Sequence, residues 1–255
     1  MAVIALASAT GSPGVTTTAL GLAMSWPRPV LLVEADPSGA SGLLVGFFRG
    51  AWGYESGLVE LALAPEGVAA ALPQVTQRIG DSTVSFIAGT RSHTQAAGLR
   101  GLWDPLATSL ADLEESGQDV IIDAGRLGIV GSPEPLLSTA DLSLLVCRTS
   151  LPAVVGARSW ATAAKNPGSG WRQPYALLIG EGQPYHRAEV TKVLGLPVLA
   201  SIPNDGDAAA VYHQGAQPPH RFETGAYVRG LLAAVEAIQA TITRTRVGLM
   251  EGATT

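Results

Sequence analysis

The chain has 255 residues, enough for one large α/β domain, and 47% hydrophobic against 15% charged residues supplies a sizeable core. A net charge of −5 with only two lysines leaves no basic footprint for nucleic acid, and a single cysteine, Cys147, excludes an internal disulfide and fits a reducing cytoplasm. No apolar run approaches the roughly 18 residues of a spanning helix, and the first residues lack a signal peptide's basic n-region, so a soluble cytoplasmic protein is expected.

Residues 3–8 are a continuous apolar run and read as a buried strand. A turn rich in small residues follows, Thr10-Gly11-Ser12-Pro13-Gly14-Val15-Thr16-Thr17-Thr18, and then a helical pattern over 16–25. Strand, glycine turn and helix in this order build a phosphate cradle: the turn aims backbone N–H groups inward and the helix N-terminus adds its positive dipole end. The P-loop pattern puts Lys directly after the last loop Gly, then Ser or Thr. Gly14 and Thr16 fit, but Val15 occupies the lysine position.

A second buried run at 30–35 leads into Asp36-Pro37-Ser38-Gly39. Residues 39–80 look irregular, with short helical pieces at 58–63 and 68–72. Further strands are expected at 83–88, 119–123, 141–147, 175–179 and 198–202, the run 119–123 ending in Asp123. Helical patterns cover 99–115, 153–164, 187–194, 206–214 and 225–245, with Gly and Pro at the joints. Short apolar strands alternating with helices argue for a mostly parallel central sheet covered on both faces. The expected architecture is therefore one three-layer α/β domain over residues 1–245, with 246–255 as a polar, frayed tail. In the last helix Val228, Leu231, Leu232, Val235, Ile238 and Ile242 recur at helical spacing, which reads as packing on the sheet rather than as a membrane-binding face.

Gly-rich loop, Asp36-Pro37 and strand-ending Asp123, in this order and spacing, resemble the MinD/ParA family of deviant Walker P-loop ATPases. The resemblance extends over nearly the whole chain. It takes in the strand at 141–147 and the late segment Gly195-Leu196-Pro197-Val198-Leu199-Ala200-Ser201-Ile202-Pro203-Asn204-Asp205. Within the family, Gly11-Ser12-Pro13-Gly14-Val15-Thr16-Thr17-Thr18 is most similar to the TadZ/CpaE-like branch, associated with Tad pilus machinery.

The resemblance implies a site. Gly11, Ser12, Gly14, Val15, Thr16, Thr17 and Pro203 fall at cofactor-binding positions. Thr16, Asp36 and Asp123 fall at Mg²⁺-binding positions, and Asp36 at that of the acid positioning the attacking water, catalytic only if the site is active. Each also has an ordinary structural explanation: Thr16 as a helix N-cap, Asp36 and Asp123 as turn formers. Together, at this spacing, they favour an inherited nucleotide site. The family's two loop lysines align with Val15 and Thr10, and the chain's lysines, Lys165 and Lys192, lie far downstream. Losing the cations that stabilise a transferred phosphoryl group weakens the case for hydrolysis, and Pro13 removes a further loop N–H. The family's base-reading Asn-Arg is replaced by Gly180-Glu181. Arg126 and Arg148 stand where a replacement cation could come from, though each also reads as a solvated loop residue.

The expectation is a degenerate MinD/ParA-like protein with weak or no ATP hydrolysis. It would bind ATP and Mg²⁺ weakly if at all and act as a homodimeric positioning or assembly factor for a Tad pilus or secretion apparatus. It would be cytoplasmic, recruited to membrane or pole by partners such as a secretion ATPase. The alternatives are a working ATPase switch with a replacement cation and a ParA-like DNA-partitioning protein, the last opposed by the acidic balance.

Overall fold

The computed structural model describes residues 2–113, 117–168 and 170–252, with 249–252 described by backbone alone. Among these residues eight strands form one sheet in the order β3-β4-β2-β5-β1-β6-β7-β8. The strands are β1 (Val3–Ser8), β2 (Val30–Glu34), β3 (Gln77–Arg78), β4 (Val84–Ile87), β5 (Asp119–Arg126), β6 (Leu142–Arg148), β7 (Pro174–Ile179) and β8 (Val198–Ile202). All neighbouring pairs are parallel except β3 with β4.

The central strands are apolar on both faces, and their alternation separates two cores. Ile4, Leu6 and Ile121 face one core, with helix α1 (Val15–Met24), helix α9 (Gly206–His213) and helix α10 (Ala226–Gly252). Ala5, Ala7, Val120 and Ile122 face the other. That second core is closed by α2 (Leu58–Leu63), α3 (Val68–Val75), α5 (Trp103–Asp112), α6 (Glu134–Thr139), α7 (Leu151–Ala164) and α8 (Arg187–Leu194). A single turn, α4 (His93–Ala96), precedes α5. The apolar stripe of α10 packs as expected: Val228, Leu231, Val235, Ile238 and Ile242 are buried in the first core, and Leu231 lies against Gly21 of α1, where a Cβ would come within 3.0 Å. Leu232, counted in the same stripe, is instead exposed.

All seven expected strands form. The differences lie at weakly patterned segments. β3 is two polar residues at the sheet edge. α6 is six residues opened by a proline. A π-helical turn, Leu43–Phe47, opens the irregular region. The expected tail is corrected in part: α10 stays helical through 246–252, seven residues past its expected end, while 253–255 lie outside the described residues, as do 114–115 of the helix expected over 99–115. No described helix is long and apolar enough to cross a membrane.

The topology positions the site. β2, β5 and β1 are adjacent and parallel, so the segments leaving them share the C-terminal edge where open α/β sheets bind ligands. Leu6, Asp123 and Glu34 lie in register across the three strands. Beyond them the β1–β5 register shifts: Leu6 opposes Asp123, but Ser8 opposes Arg126. This bulge contains Gly125 at φ +63°, a left-handed conformation that glycine adopts without steric cost.

Candidate nucleotide site

The loop between β1 and α1 keeps the shape of a phosphate cradle. Gly11, Ser12 and Gly14 have φ of 76°, 43° and 92°, and Gly14 is the N-cap of α1 with no side-chain cap bond. No acidic residue occupies the first turn, so no side chain of the helix itself offsets its orphan N–H groups and positive dipole end. Because Gly14 holds the N-cap position, the N-cap explanation of Thr16 fails. The Thr16 hydroxyl instead donates to the Asp123 carboxylate.

Three acids gather at this edge. Asp123 is 1% exposed and accepts from the Gly125 N–H at 3.0 Å. Burial pushes it up to about 7, the charges of Asp36 and Glu34 push the same way, and the Thr16 and Gly125 hydrogen bonds oppose. Asp36 lies directly over Gly125, where any Cβ would collide with its carboxylate. Its Oδ1 also accepts from Ser38 N–H at 2.8 Å, so the turn-forming role is real alongside any other. Glu34, which sequence reading did not single out, is buried and accepts from the Ser41 hydroxyl and from the N–H groups of Leu43 at 2.9 Å and Gly89 at 3.3 Å. Burial pushes it up to about 7 despite those donors. Gly42 lets this segment close on the site: a Cβ there would lie 2.9 Å from Thr16 Cγ2.

The lysine positions are built differently. Val15 is 7% exposed and belongs to the first hydrophobic core. Thr10 packs against α7, where a Cβ on Gly156 would lie 2.7 Å from Thr10 Cγ2. Both places are filled by apolar contact.

Beside the loop lies a cavity of about 270 Å³. Its walls include Ser12, Gly14, Thr17, Arg148, Pro203 and Tyr227. Of the expected cofactor-binding residues, Ser12, Gly14, Thr17 and Pro203 reach this cavity, whereas Gly11, Val15 and Thr16 do not. Arg148 Nη1 donates to Asn204 Oδ1 at 3.1 Å, and Asn204 Nδ2 donates to Gln183 Oε1 at 3.3 Å. Gln183 thus places an amide against Asn204, one residue behind the cavity wall, while Glu181 pairs with Arg187 at 3.2 Å. Gln183 is silent in sequence because it lies four positions beyond the end of β7. Arg126 is exposed and does not line the cavity.

The architecture has well-defined counterparts among solved structures. It matches the cell division ATPase MinD of Pyrococcus furiosus with a TM-score of 0.73 and 18% identity, over 94% of this chain and 99% of that one. The fold is that of the MinD/ParA ATPases. MinD of Pyrococcus horikoshii, solved with Mg-ADP, matches at TM-score 0.71 and 17% identity over 93% of this chain and 95% of that one. A ParA family ATPase from Chlorobium tepidum matches at 0.69 and 16% over 92% and 98%. No family model and no curated protein matches the sequence.

Within a MinD/ParA fold, the acids suit a divalent cation. Buried carboxylates pushed toward neutrality beside a hydroxyl are what a metal's charge would relieve. The described residues include no cluster of three or more His, Cys, Asp or Glu side chains arranged to hold a metal by themselves. Mg²⁺ does not require one, since it is commonly held by one or two carboxylates together with phosphate oxygens and water. Thr16, Asp36 and Asp123 would be the protein's contribution, and the ion would supply charge neutralisation to a bound phosphate. Val15 and Thr10 themselves bring no cation to this edge.

Proposed function

We propose that this chain is a MinD/ParA-like positioning or assembly factor that hydrolyses ATP weakly or not at all. The observation that carries this reading is Val15. The first helical residue after the loop, where a phosphate-facing lysine would stand, is an apolar side chain packed into the core. Phosphoryl transfer depends on charge placed around the transferred group, and both aligned lysine positions here are neutral. The carboxylate side remains, with Thr16, Asp36 and Asp123 as Mg²⁺-binding residues and Asp36 as the catalytic acid should any turnover occur. Gly11, Ser12, Gly14, Val15, Thr16, Thr17 and Pro203 are assigned to the cofactor site, Gly11 and Val15 through their backbone.

The likeness of the loop to the TadZ/CpaE-like branch supports a role in a Tad pilus or secretion apparatus. The protein would act as a two-fold dimer facing through its loops, cytoplasmic and brought to membrane or pole by a partner such as a secretion ATPase. An acidic chain with two lysines supports this over DNA partitioning.

Sedimentation at micromolar concentration, with and without Mg-ATP, tests the assembly. A dimer in both conditions is expected, because a site that no longer cycles leaves the dimer fixed. A strict monomer in both contradicts the reading.

A further inference from the structure

Among the described residues, the basic side chains in the wall of the cavity beside the loop are Arg148 and His213, with no lysine, and the His213 ring is held on its own helix by the Ala209 carbonyl at 2.8 Å. Arg148 ends β6 at the sheet's ligand-binding edge and lines the cavity together with Ser12, Gly14 and Thr17. We infer that Arg148 takes over the phosphate-binding charge of this site, and that the ligand is a nucleotide with one or two phosphates whose binding does not depend on the Mg²⁺ that Thr16, Asp36 and Asp123 would hold outside the cavity. The inference rests on the proposed reading of the site as a nucleotide site that has lost its lysines.

Three observations converge on it. The first is the pairing of Arg148. Its guanidinium donates to the neutral Asn204 amide, and among the described residues no carboxylate pairs with it. A guanidinium has five N–H donors and no acceptor, so Asn204 holds the group in place while most of its donors stay open to an anion. Arg suits phosphate through its planar, bidentate fork. The wall's acid, Asp205, is already occupied as the N-cap of α9, accepting from Ala208 N–H at 3.1 Å.

The second is shape. Besides the loop residues, the wall includes Ile179, Pro203, Ala209 and Tyr227, apolar surface that suits a ring rather than a bare anion. At about 270 Å³ the cavity is at the small end of ligand pockets, roughly 300–1,000 Å³.

The third is where the cavity stops. It includes Ser12 through Gly14, Thr17 and Thr18, but not Thr16, Asp36 or Asp123. A longer phosphate chain would run toward the buried Glu34 and Asp123 and the half-buried Asp36 with no lysine to offset them, whereas one or two phosphates stay within reach of the loop N–H groups and Arg148.

Calorimetric titration of the full chain with AMP, ADP, ATP and pyrophosphate, each with Mg²⁺ and with EDTA, tests this. AMP or ADP is expected to bind more tightly than ATP or pyrophosphate, with EDTA changing affinity less than about twofold. Arg148→Gln should weaken binding by about tenfold to a hundredfold, the range for one lost charge-assisted hydrogen bond, and Arg148→Lys should recover part of it. Melting curves of both variants matching the native protein exclude unfolding as the cause. Unchanged affinity in Arg148→Gln, loss of binding in EDTA, equal binding of pyrophosphate, or no binding of any of the four would overturn the inference. None of these outcomes touches the dimer. Conversely, a strict monomer would sink the positioning reading while leaving the Arg148 result standing.

Discussion

Asp119 begins β5 and Asp123 lies four residues further along the same strand, both fully buried, and their surroundings are opposite. Asp119, at the N-terminal edge, accepts from Ala2 N–H and from Trp26 Nε1–H, each at 2.7 Å, and pairs with Arg28 at 2.7 Å. It ties the start of β1 and the α1–β2 connection to β5, and every bond it needs is made within the chain. Asp123 has a hydroxyl and one backbone N–H as donors, and Asp36 and Glu34 as further acids nearby. A buried acid provided with its own cation serves stability. One surrounded by like charge persists where something outside the chain neutralises it, which is why the neutral side chains at Val15 and Thr10 bear so directly on what the site can hold.

The largest expected effect falls at the satisfied end. Asp119→Ala leaves the Ala2 and Trp26 N–H groups without an acceptor and breaks a partly buried ion pair, at a cost of about 3–5 kcal/mol. For a chain of this size that lowers Tm by roughly 10 °C, read by thermal melting. An unchanged Tm would mean the network contributes nothing net.

Asp123→Asn should act in the opposite direction and depend on pH. The folded-state pKa lies above the unfolded one, so the native state holds more protons than the unfolded state between about pH 4 and 7. Stability therefore falls as pH rises through that window and stays reduced above it, with Glu34 contributing in the same sense. The Asn variant keeps an acceptor for Thr16 and Gly125 and removes the charge. It should melt about 2–8 °C above the native protein at pH 8 and close to it at pH 4. A variant less stable at both pH values would show Asp123 to be compensated as Asp119 is.

Restoring the missing charge gives a smaller effect on stability and a larger one on binding. Val15→Lys with Thr10→Lys should raise Mg-ATP affinity by roughly tenfold to a hundredfold, at some cost in melting temperature because Val15 is a core residue. No gain in affinity would mean that the loop has lost its phosphate-binding form as well as its charge.

The smallest effect tests the packing at Thr10. Gly156→Ala should gain about 1 kcal/mol from helix propensity, yet the new Cβ meets Thr10, so the native background should show no gain. With Thr10→Gly the same change should stabilise by about that amount. Equal effects in both backgrounds would show that the two residues do not touch.

The fold was legible because buried parallel strands are written as continuous apolar runs, and Val30 to Val33 or Val120 to Ile122 admit no other reading at that length. β3 was not, since Gln77 and Arg78 carry no pattern and form a strand only because β4 offers an edge. The end of α10 was misread because Gly248 and the polar residues around it suggest a break, whereas the backbone runs on as helix through them. In the site, the family resemblance pointed to Thr16, Asp36 and Asp123, and the sheet brings the three to one edge. The role of Gly125 under Asp36, the burial of Glu34 and the seat of Thr10 on Gly156 were not legible. Each is a contact between residues far apart in sequence, and nothing in either partner announces it.

The central claim is that the site keeps its carboxylates and has lost the charge that drives hydrolysis. Phosphate release by the native protein with Mg-ATP tests it most directly. Turnover indistinguishable from a protein-free control is predicted. Brisk release that Asp36→Ala abolishes would contradict it, showing an active site that draws its cation from elsewhere.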